Sequence, residues 1–236
     1  MKIFCEWEHN GNDSLLYSSN LVGAYTRGEN KSAALDKMHR EAESYLRWAG
    51  TEVPQTFDIE ISREKASALD IRDADSDLLF ESERKPLTQE EYDELKALAL
   101  KSAADFLSLY NSIPDKDVTT IPPRRTFYGD VPRTAREMYE HTKSVNSYYF
   151  AEIDVSADND GDIYECRKHG FEVLELRPDF LTRGVIEGSY GEEWSVRKVL
   201  RRFIWHDRIH AKAMTRMARR TFPTADIPDI FFFGTL

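Results

Sequence analysis

The stretch that decides the fold is VLRRFIWHDRIHAKAMTRM, residues 199–217. Apolar residues and two histidines recur along it at spacings of four and three residues. They are Val199, Phe203, His206, His210, Ala213 and Met217. This spacing is typical of the inner seam of a helix that packs against other helices, so both histidines take core positions. Two imidazoles four residues apart lie about 6 Å apart along the helix axis and can bind one ion.

A third histidine, His141, fits the same pattern on an earlier segment, in line with Met138, Val145 and Tyr148. A single histidine on an apolar face is more often a hydrogen-bonded core residue than a ligand. Three of them change the balance, because a buried imidazole nitrogen without a partner costs about 1–3 kcal/mol and one divalent ion would satisfy all three. The sequence therefore predicts a metal site formed by His141 and the two histidines of the first stretch.

The segments around these histidines resemble the DinB-like four-helix-bundle family. The resemblance lies in WSVRKVL at 194–200, WHDRIH at 205–210, MYEH at 138–141 and YY at 148–149. In that family one histidine of the second helix and an H-x-x-x-H pair of the last helix bind a divalent metal, often nickel or zinc. The resemblance covers roughly residues 86–222 and implies an all-α, up-and-down four-helix bundle in which the three histidines are the ligands.

The amino-terminal stretch YSSNLVGAYTRGENKSAAL, residues 17–35, is similar to a HicB-like module. The signature is a strand, a Gly-x-x-Thr-x-Gly turn and a helix that opens with a short Ala/Leu run. Alternating apolar residues at 3–7 and 57–61 predict half-buried strands on either side of that helix. Together they predict an α+β module over roughly residues 1–61. In HicB antitoxins this module blocks a small toxin and a DNA-binding segment usually follows, but here none does.

The chain is predicted to have two domains. Residues 62–85 are rich in Asp, Glu, Arg and Ser and read as an acidic linker, which gives an α+β domain over 1–85 and a helical bundle with a carboxyl-terminal tail over 86–236. Capping boxes at Thr88 and Thr134 begin two of the bundle helices. The segment 163–177 supplies the third helix, although part of it would also pass for a strand.

Composition limits the classes of partner. The formal charge is −10, which argues against binding to duplex nucleic acid because phosphate contacts need clustered Lys and Arg. The segment 194–220 is nonetheless basic, and its charges either pair with acidic neighbours or draw an anionic substrate or thiol cofactor toward the metal. The candidate acidic neighbours are Glu90, Glu91, Asp93 and Glu94.

Location and redox state also follow from composition. No apolar run reaches 18–20 residues and no basic-then-apolar leader is found, so the prediction is a cytoplasmic protein without a membrane span. The two cysteines, Cys5 and Cys166, form neither a disulfide framework nor a C-x-x-C pair, and both are predicted to be buried thiols. His9, His39 and His169 are predicted to lie outside the metal site.

The sequence assigns no catalytic base. Glu137 precedes His141 by four residues but is expected to cap its helix through a backbone N–H. Asp207 adjoins a ligand yet points about 100° away around the helix, which favours a supporting or surface position. Tyr148 and Glu137 lie nearer the helix face that carries His141.

The leading prediction is a metal-dependent enzyme, a thiol transferase or small-molecule hydrolase, because the DinB-like family includes thiol transferases and thiol-coupled isomerases. Its substrate is then a small molecule, with a low-molecular-weight thiol as one option. Imidazole ligands suit zinc, nickel, iron or copper alike. The alternative is a noncatalytic interaction protein with a structural metal site, in which the HicB-like module docks a partner. The sequence leaves open whether the chain forms a homodimer.

Overall fold

The computed structural model describes residues 1–234 as a mixed α+β chain. Its amino-terminal part is a four-stranded sheet in the order β3-β2-β1-β4. The β1 strand pairs antiparallel with β2 and parallel with β4, while β2 pairs antiparallel with β3. The elements of this part are β1 (Lys2–His9), β2 (Ser14–Ser18), β3 (Tyr25–Gly28), α1 (Lys31–Ala49) and β4 (Asp58–Ala66).

The α1 helix makes the crossover that a parallel strand pair requires. It begins after Asn30, whose side chain accepts a hydrogen bond from the Ala33 backbone N–H. It ends at Gly50, which has a φ of 73° in the left-handed region where glycine is favoured. The predicted strands and intervening helix are therefore confirmed.

The segment predicted as an acidic linker is largely ordered against the rest of the chain. The β4 strand runs to Ala66, and the following residues bury Ile71, Leu78 and Phe80. These three belong to an apolar cluster with Tyr17 of β2 and Trp205. The segment therefore contributes to the core instead of only connecting two domains.

Four further helices follow: α2 (Gln89–Ser112), α3 (Ala135–Ala151), α4 (Ile163–Glu175) and α5 (Val196–Thr221). Two short hairpins interrupt them, β5 (Arg125–Thr126) with β6 (Gly129–Asp130) and β7 (Ile186–Glu187) with β8 (Glu193–Trp194). Helices α2 and α3 each contact both α4 and α5. Both predicted capping boxes and the predicted helix in the segment 163–177 are confirmed. Among the helices of residues 1–234, none has the length and apolar character needed to cross a bilayer.

One continuous apolar core joins the sheet to the helices. Gly23 lies so close to α5 that a Cβ placed on it would be 2.4 Å from Cγ2 of Ile204. The carboxyl-terminal tail also packs against this core, because Phe231 stacks on Trp48 of α1 with ring centroids 5.8 Å apart. Phe231 and Phe233 of the tail are buried in this core. The division into domains at residue 85 stays a prediction.

Six basic residues of α5 have carboxylate partners, three of them in the amino-terminal part. Arg201 binds Glu83, and both Arg208 and Lys212 bind Glu41 with N···O distances of 2.9 and 2.6 Å. Of the four acidic neighbours predicted on α2, within residues 1–234 only Glu91 pairs with α5, through Arg197 at 2.6 Å. The predicted pairing with α2 is wrong for the other five cations. They bind Glu41, Glu83 or Glu192 because they face α1, the 67–87 segment or the β7–β8 hairpin.

Candidate metal centre

The three predicted histidines come together in space. His141 lies on α3, and His206 and His210 lie one turn apart on α5. The ring centroids are 5.2 Å apart for His141–His206, 4.7 Å for His141–His210 and 4.4 Å for His206–His210. One nitrogen from each ring can be chosen so that all three lie within 4.8 Å of one another. The group could therefore hold one metal ion.

The geometry fits an ion after small side-chain movements. Three nitrogens bound to one tetrahedral ion at 2.0–2.1 Å lie about 3.4 Å apart, so rotations that move a ring by about 1 Å would close the site. Both helices are capped at their amino-terminal ends. The α3 helix begins at Thr134, whose hydroxyl accepts a hydrogen bond from Glu137 N, and α5 begins at Ser195, which caps Lys198 N.

The hydrogen bonding of the rings supports an external ligand. Among residues 1–234, no ring nitrogen of the three histidines has a hydrogen-bond partner, and Nδ1 of His206 is buried. A buried polar nitrogen without a partner costs about 1–3 kcal/mol, which a bound ion would offset. The donor set is therefore compatible with a metal.

The electrostatics of the site favour neutral imidazoles. Burial lowers the pKa of His206 well below its ordinary value, and His210 and His141 lower it further. Burial likewise lowers the pKa of His210 strongly and that of His141 to a lesser degree. Neutral imidazole is the form that coordinates metal ions, so the site is in the required protonation state at neutral pH.

Glu137 acts as a helix cap, as the sequence predicts. Its carboxylate accepts hydrogen bonds from the backbone N–H groups of Arg133 at 2.7 Å and Thr134 at 3.1 Å. These bonds, the Arg133 bond first, hold the pKa of the carboxyl below its usual range. The carboxylate is thereby engaged away from the histidines.

Asp207 is buried in an ion pair. Both of its oxygens accept hydrogen bonds from the Arg167 guanidinium of α4, and neither side chain is exposed to solvent. Arg167 also donates to the carbonyl of Ala99 and to Oδ1 of Asn146. Burial raises the pKa of Asp207, whereas Arg167 opposes that rise. Asp207 is therefore a structural anchor, and the surface position that the sequence left open is excluded.

Tyr148 does not line the site, which corrects the expectation that it lies near the helix face that carries His141. It is 40% exposed, whereas the next residue, Tyr149, is buried with its ring centroid 6.0 Å from that of His206. The buried stripe of α3 passes through Met138 and Asn146 to Tyr149. His141 stands at the edge of this stripe, so a residue in line with it reaches the surface.

A cavity of about 270 Å³ adjoins the histidines. Its walls include residues of the amino-terminal part and of the β5–β6 hairpin, which the sequence did not assign to the site. They include Tyr25 and Arg27 of β3, Asp75 and Ser76, Phe127 and Tyr128 of the hairpin, and Arg202, Lys212 and Arg216 of α5.

Of the missed residues, Arg167 carried a partial signal in the sequence. Arg167 occupies an inner position of α4 between Ile163 and Gly170, and a cation there predicts a buried carboxylate partner. Tyr25 and Arg27 lie in the Gly-x-x-Thr-x-Gly turn, but nothing in their spacing indicates that they face α5. His9, His39 and His169 lie outside the group, and both cysteines are buried and free, as predicted.

Comparison with family models, with curated proteins and with solved structures finds no match to this chain. The DinB-like and HicB-like resemblances therefore rest on the sequence motifs alone.

Proposed function

We propose that His141, His206 and His210 bind one divalent metal ion and that the chain is a metal-dependent enzyme acting on a small molecule. Thiol transfer or hydrolysis is the proposed reaction, and α2 to α5 form the proposed DinB-like four-helix bundle. The observation that carries the proposal is the meeting of three imidazoles without hydrogen-bond partners, one buried and two half-buried, at the wall of a cavity.

The protein's own residues perform the binding and the positioning. Packing fixes His206 and His210 on one face of α5, and α3 supplies His141 from across the helix interface. Tyr149 and Trp205 limit access of water on the inner side of the cavity. An ion bound by three imidazoles supplies Lewis acidity and lowers the pKa of a coordinated water or thiol toward about 7.

The cavity supports the enzyme over the noncatalytic alternative. A metal held only for stability is commonly enclosed by four protein ligands, whereas a catalytic metal keeps a position for substrate. The group contains three donors, and the residues beside it enclose about 270 Å³. Space of that size next to the ligands is what a small substrate requires and what a purely structural site does not.

The experiment compares metal-dependent reaction rates in three proteins. Thiol addition to an aryl chloride and hydrolysis of a nitrophenyl ester are followed with wild type, His206→Ala and His169→Ala. His169 is an exposed histidine of α4 outside the group and serves as the matched control. We expect one reaction to require zinc, nickel or iron, to be lost in His206→Ala and to persist in His169→Ala. Equal rates in wild type and His206→Ala would contradict the proposal.

A further inference from the structure

A basic wall separates the histidine cavity from a second cavity. The second cavity has a volume of about 400 Å³ and lies between β3, α1 and α5. Four residues line both cavities: Tyr25, Arg27, Lys212 and Arg216. We call these four residues the shared wall. A ligand that contacts this wall from either side is close to the histidines.

The second cavity is strongly positive. Of the ten described residues that line it, five are basic and only Glu41 is acidic. Glu41 already accepts hydrogen bonds from Arg208 at 2.9 Å and from Lys212 at 2.6 Å, so its charge is compensated within the protein. Because the whole chain has a formal charge of −10, this concentration of positive charge is local. It favours an anionic ligand.

Two arginines of the shared wall have no carboxylate partner among residues 1–234. Arg27 donates one hydrogen bond, from Nη1 to the carbonyl of Arg72 at 3.1 Å, and Arg216 makes none. Both guanidiniums lie near enough to the Tyr25 hydroxyl to oppose the rise in its pKa that burial causes. A guanidinium has five N–H donors in a planar fork that matches carboxylate and phosphate oxygens, so most of these donors are available to a ligand.

We infer that Arg27 and Arg216 bind the anionic group, a phosphate or a carboxylate, of a small molecule whose other end reaches the three histidines. The second half of this statement rests on the proposed metal site, but the first half does not. Arg216 follows His210 by six residues on α5, a rise of about 9 Å along the helix, and both residues line the histidine cavity. The ligand is therefore an elongated molecule with an anionic group at one end and a metal-coordinating group at the other.

Anion binding is tested by calorimetric titration of inorganic phosphate and of citrate into the full-length protein. The variants are Arg27→Gln and Arg216→Gln, with Arg220→Gln as the matched control because Arg220 is an exposed arginine of α5 that lines neither cavity. We expect at least one anion to bind wild type and Arg220→Gln equally. Each of the other variants should bind about 10-fold more weakly, since a charge-assisted hydrogen bond is lost. The preferred anion assigns the group as phosphate or carboxylate.

The same titration into His206→Ala separates this site from the metal. Unchanged anion affinity in that variant supports the arginine site even if no metal binds. Loss of affinity there would mean that the anion binds at the histidines and would overturn the assignment. Absence of binding to wild type, or an equal loss in Arg220→Gln, would also overturn it. Arg216→Gln decides the outcome if Arg27→Gln does not fold, because Arg216 is exposed.

Whether one ligand contacts both the arginines and the metal is tested with cobalt-loaded protein. Mercaptohexanoate and mercaptohexanol carry the same thiol on the same chain, but only the first has a carboxylate. We expect mercaptohexanoate to change the cobalt absorption at about 10-fold lower concentration, and Arg216→Gln to remove that difference. Equal concentrations for both thiols in wild type would contradict the elongated ligand while leaving the metal site intact.

Discussion

Helix α5 carries two kinds of polar group on its inner faces, and only one kind has partners within the protein. Arg201, Asp207 and Arg208 each have an oppositely charged partner within the protein. His206 and His210 have none, although His206 is the immediate neighbour of Asp207. Buried charges are tolerated only when they are paired, so the pairs explain how α5 is held in place. The unpaired histidines have no such explanation and point to a ligand from outside the chain.

The largest expected effect comes from removing the amino-terminal partners together. A fragment of residues 86–236 lacks Glu41 and Glu83, so Arg201 and Arg208 would lose their carboxylates while the shared apolar core is exposed. The sequence predicts that such a fragment stays soluble and helical, but these contacts lead to the opposite expectation. We expect circular dichroism to show loss of cooperative thermal unfolding. A fragment as helical and stable as α2 to α5 in the full chain would support the two-domain interpretation.

A single broken pair should cost less than the deletion but more than most substitutions. Asp207→Ala leaves the fully buried Arg167 without its carboxylate, and we expect the free energy of unfolding to fall by about 3–5 kcal/mol. Asp36→Ala is the control, because Asp36 is an exposed aspartate of α1 and should change stability by about 0.5 kcal/mol or less. Urea denaturation measures both. Equal effects would show that the Arg167–Asp207 pair does not hold α5.

A smaller effect is expected from protonation of the histidines in the presence of a chelator. Burial keeps the pKa values of His206 and His210 below the value of about 6.5 for unfolded histidine. The unfolded chain then binds more protons as the pH falls below about 6.5, so the free energy of unfolding falls by up to about 1.4 kcal/mol per pH unit for each histidine.

Glu6 changes the stability in the opposite direction. Burial raises the pKa of its carboxyl to about 7, so its contribution to the free energy of unfolding falls as the pH rises. The measurement is therefore the difference in stability between wild type and His206→Ala at pH 7.5 and pH 5.5. We expect wild type to lose more stability than the variant on acidification, with His169→Ala behaving as wild type. The same loss in all three proteins would show that His206 is not held neutral by the fold.

Much of this arrangement could be predicted from the sequence. The seam from Val199 to Met217 places His206 and His210 in the core, and the capping box at Thr134 sets the register of His141 and engages Glu137. These are local patterns whose helical period decides which residues face inward. The α1 helix and its flanking strands follow from the same kind of signal.

The rest depends on contacts between distant segments, which periodicity does not encode. The pairing of Arg208 with Glu41 joins residues 167 positions apart, and the pairing of Arg201 with Glu83 joins residues 118 apart. A helical seam also does not say which of two neighbouring residues faces a partner helix at its edge, which is why Tyr149 replaces Tyr148 at the cavity. The contribution of Arg27 to the cavity arises only because β3 packs beside α5.

The most direct test of the metal site is elemental analysis of tag-free protein, comparing wild type with His206→Ala and His169→Ala. All three are passed over the same metal-free column and then equilibrated with equal zinc or nickel. The account predicts one ion per chain in wild type and in His169→Ala and less than about one tenth of that in His206→Ala, because two remaining imidazoles hold an ion weakly. Full occupancy in His206→Ala, or no bound ion in wild type, would contradict the claim that the three unpaired histidines form a metal centre.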